Sequence, residues 1–94
     1  MKIMLIGNGA REHCIAETLK KSKGTKLYSY LKSTNPGIAS LSENFATGNY
    51  NDLNKIKEYA KKTKPDLAFI GPEEPLSNGV VDSLKELKID AIGP

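Results

Sequence analysis

Gly7, Asn8, Gly9, Arg11 and His13 fall within one short stretch of the chain, and their types suit the binding of an anion. Glycines at 7 and 9 permit positive φ and let the backbone come close to a ligand. A helix starting directly after them points its first unpaired amides into the same space, a corner that attracts phosphate above all. The only arginine, Arg11, and the only histidine, His13, are placed here, although thirteen lysines could have supplied charge anywhere. Arginine clamps phosphate bidentately, which lysine cannot do as well. The competing reading pairs Arg11 with Glu12 or another surface carboxylate, and its isolation among lysines favours the anion. His13 is expected to cap or pack under the glycine loop as a neutral imidazole, a structural role rather than catalysis or metal binding.

Two other stretches carry candidate groups. Asn35-Pro36-Gly37 closes a run of turn formers that begins at Ser33. Gly71-Pro72-Glu73-Glu74-Pro75 sets two carboxylates between prolines, and a stiff loop places groups accurately. Glu73 is read as a ligand for a substrate amine or ribose hydroxyl. Glu74 is read as solvated, with capping of the next helix through the amides of Leu76 or Ser77 as the other use of one of the two acids. Asp82 is read as an ordinary acid on a helix surface.

These groups need elements to position them. Residues 2–6 form a near-continuous apolar run of strand length, the pattern of a central strand covered on both faces. From Arg11 to Lys21, Ile15, Ala16 and Leu19 fall at helical spacing, with the lysines and Gly24 closing the helix. Cys14, within that pattern, is expected as a small buried side chain rather than a catalytic thiol. A second strand is expected over Lys26 to Leu31, a short helical turn over Ile38 to Leu41, and a short third strand over Glu43 to Thr47. Asn51 or Asp52 caps a helix carrying Leu53, Ile56, Tyr59 and Ala60, which ends in a lysine run before Pro65. Asp66 to Ile70 is a second buried strand. Ser77 or Asn78 caps a helix whose face is Val80, Val81, Leu84 and Leu87, and Ile89 to Ile92 form the last strand.

Alternating strands and helices with short connections give an α/β fold, an open, mostly parallel Rossmann-like sheet with helices on both faces and right-handed crossovers. Ligands bind such a sheet beyond the carboxyl ends of its strands, where the glycine turn, the Asn35 loop and the Gly71 loop all lie.

Ninety-four residues suit one domain, residues 1–94, with a thin margin of stability. The net charge of +3 comes from lysines at helix ends, where the macrodipole favours them, and four tyrosines do not interleave with them as a base-stacking platform would require. No nucleic-acid partner is therefore inferred. No run approaches the roughly 18 apolar residues of a membrane helix, and the opening apolar run stops at Gly7, short of a signal peptide, so cytoplasmic residence is expected. A single cysteine excludes an internal disulfide and a cysteine-based zinc site. Ile92-Gly93-Pro94 echoes Ile70-Gly71-Pro72 and reads as a strand entering another binding-edge loop, so the chain is expected to be the first domain of a longer protein.

A dinucleotide does not suit the glycine turn. The third glycine of Gly-x-Gly-x-x-Gly is replaced by Glu12, whose carboxylate would crowd a pyrophosphate, and the second strand ends in Leu31-Lys32-Ser33 with no acid for a ribose. No Gly-Lys-Ser or Gly-Lys-Thr occurs, so there is no Walker-type site. A smaller phosphorylated ligand fits better.

Gly7-Asn8-Gly9-Ala10-Arg11-Glu12-His13, Asn35-Pro36-Gly37, Gly71-Pro72-Glu73-Glu74-Pro75-Leu76 and Gly79-Val80-Val81-Asp82 together resemble the amino-terminal domain of the phosphoribosylamine–glycine ligase family, the glycinamide ribonucleotide synthetases. The motifs occur in family order and spacing from Met1 to Pro94. Ala10 stands where a second glycine is more usual, and the second-strand loop is a variant of the family's Pro-Gly-Asn form. The resemblance implies a pre-ATP-grasp type domain of an enzyme of purine synthesis, which joins glycine to 5-phosphoribosylamine with ATP and magnesium or manganese. It implies a substrate-binding set of Gly7, Asn8, Gly9, Arg11, Asn35, Pro36, Gly37, Gly71, Pro72 and Glu73, and contacts with the enzyme's other domains. Catalytic and metal-binding residues would belong to those ATP-grasp and carboxyl-terminal domains, and none is assigned in this chain. A non-catalytic domain binding a phosphorylated metabolite or a protein, or the first domain of another ATP-grasp enzyme, would preserve the same features.

Overall fold

The computed structural model describes residues 1–71 and 79–92. Expectations for Pro72, Glu73, Glu74, Pro75, Leu76, the capping by Ser77 or Asn78, and Gly93-Pro94 lie outside the described residues. In chain order the elements are β1 (Lys2–Ile6), α1 (Ala10–Lys20), β2 (Lys26–Leu31), α2 (Pro36–Leu41), β3 (Asn44–Thr47), α3 (Leu53–Thr63), β4 (Leu67–Ile70), α4 (Val80–Glu86) and β5 (Asp90–Ile92). The five strands form one sheet in the order β3-β2-β1-β4-β5, every neighbouring pair parallel. β1 is central, and the direction of travel across the sheet reverses at it. The crevice where such a sheet binds ligands therefore lies beyond the carboxyl ends of β1 and β4.

Side chains of a strand alternate between faces, so β1 serves two cores at once. Met4 and Ile6 join Ile56, Tyr59 and Ala60 of α3 and Val80 and Leu84 of α4 on one face. Ile3 and Leu5 join Ala16 of α1, Ile38 of α2, and Leu27 and Leu31 of β2 on the other. Both faces of β1 being dry explains why its sequence is apolar without alternation.

The helices follow their local signals. Asp52 caps α3 by accepting the Lys55 amide at 3.0 Å, and the helix ends with Lys64 in the left-handed region at φ 51°. Asn35 caps α2 by accepting the Ile38 amide at 3.2 Å, with Pro36 at the first helical position, where its fixed φ and missing N–H cost nothing. Pro36 and Gly37 thus begin a helix, where the sequence reading has them close a loop before a turn starting at Ile38. α1 departs from expectation at Cys14, which is exposed. Its inward face is Glu12 and Ala16, and at about 100° per residue Cys14 falls on the opposite side from Glu12.

Burial, then Asp52 and Tyr50 nearby, pushes the Tyr30 hydroxyl up from its ordinary value near 10 to about 12. Burial first, and Tyr28 second, pushes Tyr59 up as well. Both phenols stay protonated in the folded chain through a range in which the unfolded chain loses those protons. Their contribution is therefore complete below about pH 10 and is lost as the pH climbs through the raised values, about 12 for Tyr30. The urea midpoint should fall over that range, and replacing both tyrosines by phenylalanine should flatten the fall. A midpoint independent of alkaline pH would contradict this.

Candidate functional site at the carboxyl edge

The turn after β1 is built around Glu12. Gly7 has φ 136°, and a Cβ there would stand 2.5 Å from Glu12 Cγ; a Cβ on Gly71 would stand 2.6 Å from the same side chain. Both glycines therefore make room for a glutamate that is 7% exposed. Its Oε1 accepts the Gly9 amide at 3.2 Å, and its Oε2 lies 3.5 Å from Arg11 Nε. A carboxylate at the start of α1 is favoured by the helix dipole and meets one of its unpaired amides. The glycines thus accommodate a carboxylate of the chain itself, where the sequence reading has that carboxylate crowd a bound pyrophosphate. The turn is held to the strands on either side by Gly7 N–H donating to the Tyr30 carbonyl at 3.1 Å and Gly71 N–H to the Ile6 carbonyl at 3.0 Å.

Arg11 stands in the first turn of α1 with an exposed side chain. Its guanidinium pairs with Glu12 and donates to the Gly71 carbonyl. The competing reading of Arg11, the pairing with Glu12, is the one the structure shows. That ion pair sets the fork beside Gly71, where the chain leaves β4, and among the described contacts the guanidinium keeps N–H groups beyond these two.

On the other side of the turn Asn8 is a hub. Its Oδ1 accepts the Tyr50 hydroxyl at 2.6 Å, its Nδ2 donates to Ser33 Oγ at 3.0 Å, and its main-chain carbonyl accepts Asn35 Nδ2 at 2.8 Å. The loops after β1, β2 and β3 are thereby tied at one edge. The loop after β3 is anchored in turn by Gly48 N–H on the Leu31 carbonyl at 2.8 Å and by the Tyr30 hydroxyl on the Asn49 carbonyl at 3.0 Å.

The structure therefore brings Gly7, Asn8, Gly9, Arg11, Asn35, Pro36, Gly37 and Gly71 to the carboxyl edge, while Pro72 and Glu73 lie outside the described residues. His13 packs its ring against Gly37 and sits 3.3 Å from Glu17 Oε1, so it lies against the start of α2 rather than beneath the glycine turn. Asp82 is exposed, as expected. Sequence reasoning missed Tyr50 and the support given by Gly48 and Asn49. The signal present was Gly48-Asn49-Tyr50-Asn51, a cluster of turn formers directly after a strand. A cavity of about 400 Å³ between Lys64-Pro65 and Leu87-Lys88-Ile89 precedes β4 and β5, so it opens at the opposite edge. Among the described residues no group of three His, Cys, Asp or Glu could hold a metal, and no helix is long and apolar enough to cross a membrane.

Comparison with known proteins agrees with this architecture. The family model described as phosphoribosylglycinamide synthetase, N domain, matches residues 1–94. A phosphoribosylamine–glycine ligase of Methanocaldococcus jannaschii is 57% identical over the whole chain, which spans 21% of that relative's length. Two solved structures share the fold at low identity. Glycinamide-RNase-transformylase T from Mycobacterium tuberculosis superposes with a TM-score of 0.79 at 11% identity, over 97% of this chain and 26% of that one. N5-carboxyaminoimidazole synthetase from Staphylococcus aureus, complexed with ADP, gives 0.78 at 18% identity, over 96% and 23%. With a family model matched from end to end and a relative more than half identical throughout, the chain belongs to the phosphoribosylglycinamide synthetase N-domain family.

Proposed function

We propose that residues 1–94 are the substrate-binding amino-terminal domain of a phosphoribosylamine–glycine ligase of purine synthesis. In the proposed reaction the γ-phosphoryl of ATP passes to the glycine carboxylate, giving ADP and glycyl phosphate. The amine of 5-phosphoribosylamine attacks the acyl carbon, phosphate leaves, the amine gives up a proton, and an amide remains. Nothing in the described residues suits the phosphoryl transfer, so ATP, the magnesium or manganese ion and the groups that hold them are assigned to the part of the ligase beyond these residues. The role of this domain is to bind and orient 5-phosphoribosylamine, through Gly7, Asn8, Gly9, Arg11, Asn35, Pro36, Gly37 and Gly71 with Pro72 and Glu73.

The observation that carries this reading is the convergence of the loops after β1, β2 and β4 at the sheet's reversal point, with Arg11 at its mouth. An arginine fork beside the start of a helix suits a phosphoryl group. ADP release is the test. The full-length enzyme should release ADP over many turnovers only when both glycine and 5-phosphoribosylamine are present, and purified residues 1–94 should form none. ADP formation by the 94-residue chain alone would contradict the division of labour. A full-length protein inactive with both substrates would favour a binding module.

A further inference from the structure

The Asn8 hub points to a residue that acts without reaching the crevice. Tyr50 is 5% exposed, and its ring belongs to the core that contains Ile6 and Tyr30. Its hydroxyl nevertheless reaches Asn8 Oδ1 at 2.6 Å, the shortest of the three bonds on that asparagine. An amide whose oxygen is held by a phenol can present its nitrogen in only one direction, here to Ser33 Oγ at 3.0 Å. The same asparagine's carbonyl receives Asn35 Nδ2, and Asn35 Oδ1 caps α2. One buried hydroxyl therefore fixes the Asn8 amide, and that amide holds Ser33 in the short segment that runs from β2 to the start of α2, beside the main-chain bond to Asn35. Among the described contacts, the second N–H of Asn8 Nδ2 is left over on the rim of the edge.

Resting on the function proposed above, we propose that Tyr50 is a positioning residue for the phosphorylated substrate. Through Asn8 it sets the gap between the glycine turn and the Asn35-Pro36-Gly37 segment, and so governs the affinity for 5-phosphoribosylamine without touching it. Tyr50 is anchored on the core that also carries α3, so the gap is set by the rigid part of the fold rather than by the loops themselves.

In the full-length ligase, Tyr50→Phe keeps the buried ring and removes only the hydroxyl. The KM for 5-phosphoribosylamine should rise roughly five- to tenfold, the scale of one lost neutral hydrogen bond, with kcat and the KM values for ATP and glycine within about twofold of wild type. Adding Tyr50→Phe to Asn8→Ala should raise that KM no further, since residues acting through one contact are not additive. Tyr59→Phe loses comparable hydroxyl bonds, to Asn44 at the amino end of β3, and should leave that KM unchanged. If Asn8→Ala raises the KM and Tyr50→Phe does not, the positioning role is overturned while the binding edge stands. If neither variant raises it, both this role and the assignment of the edge are overturned. A uniform loss across all three substrates, with the melting temperature lowered, would make Tyr50 merely structural and overturn the proposal as well.

Discussion

Replacing Gly7 by alanine should destabilise the 94-residue chain by about 2 to 6 kcal/mol, out of a total of about 5 to 14 for a chain of this size. Two separate effects add. At φ 136° a side chain is strained, at roughly 1 to 3 kcal/mol, and the new methyl would stand 2.5 Å from Glu12 Cγ. Glu12 cannot swing away cheaply, because its carboxylate is held by the Gly9 amide and Arg11 beneath the turn. Urea unfolding would read the change as a lower midpoint at constant slope. Gly24→Ala is the control for strain alone, since Gly24 also has positive φ but a Cβ there would meet nothing within 4 Å. Equal losses at the two positions would show that Glu12 does not fill the turn. A smaller penalty for Gly7→Ala in a Glu12→Ala background would show that it does.

In the proposed full-length ligase, Arg11→Lys should lower kcat/KM for 5-phosphoribosylamine by about ten- to a hundredfold, with use of ATP and glycine much less affected. Lysine keeps the charge, but a single ammonium cannot reproduce the planar fork that pairs with Glu12, donates to the Gly71 carbonyl and still offers donors to the crevice. Loss of one charge-assisted hydrogen bond is worth roughly 1.5 to 3 kcal/mol, which sets the range. Folding should change little, because the side chain is exposed. Wild-type kinetics for this substrate would reduce Arg11 to the Glu12 ion pair.

The fold was legible because its signals are local and agree with one another. β1 reads as a buried central strand from its uninterrupted apolar run, and Asp52 and the Ile56-Tyr59-Ala60 spacing announce α3. The brief α2 and β3 were harder to bound, and α2 begins earlier than its apolar residues do because Asn35 and Pro36 set its start. Of the site, the glycine turn, the start of α2 and Gly71 could be placed at one edge from the rule for parallel sheets alone. Partners distant in sequence could not. Glu12 packs against Gly71 and Tyr50 bonds Asn8, contacts that nothing near either residue encodes. Cys14 was misread because a weakly amphipathic helix does not declare its inward face, and in α1 that face includes a glutamate.

The central claim is that the carboxyl edge of this sheet holds the phosphoribosyl part of the substrate. Its most direct test is hydrogen exchange on the full-length ligase with and without glycinamide ribonucleotide, the stable product that carries the same phosphoribosyl group. Peptides spanning residues 7–13, 33–38 and the end of β4 should become protected on binding. Protection confined to segments outside residues 1–94, or within them only at the opposite edge before β4 and β5, would contradict the account.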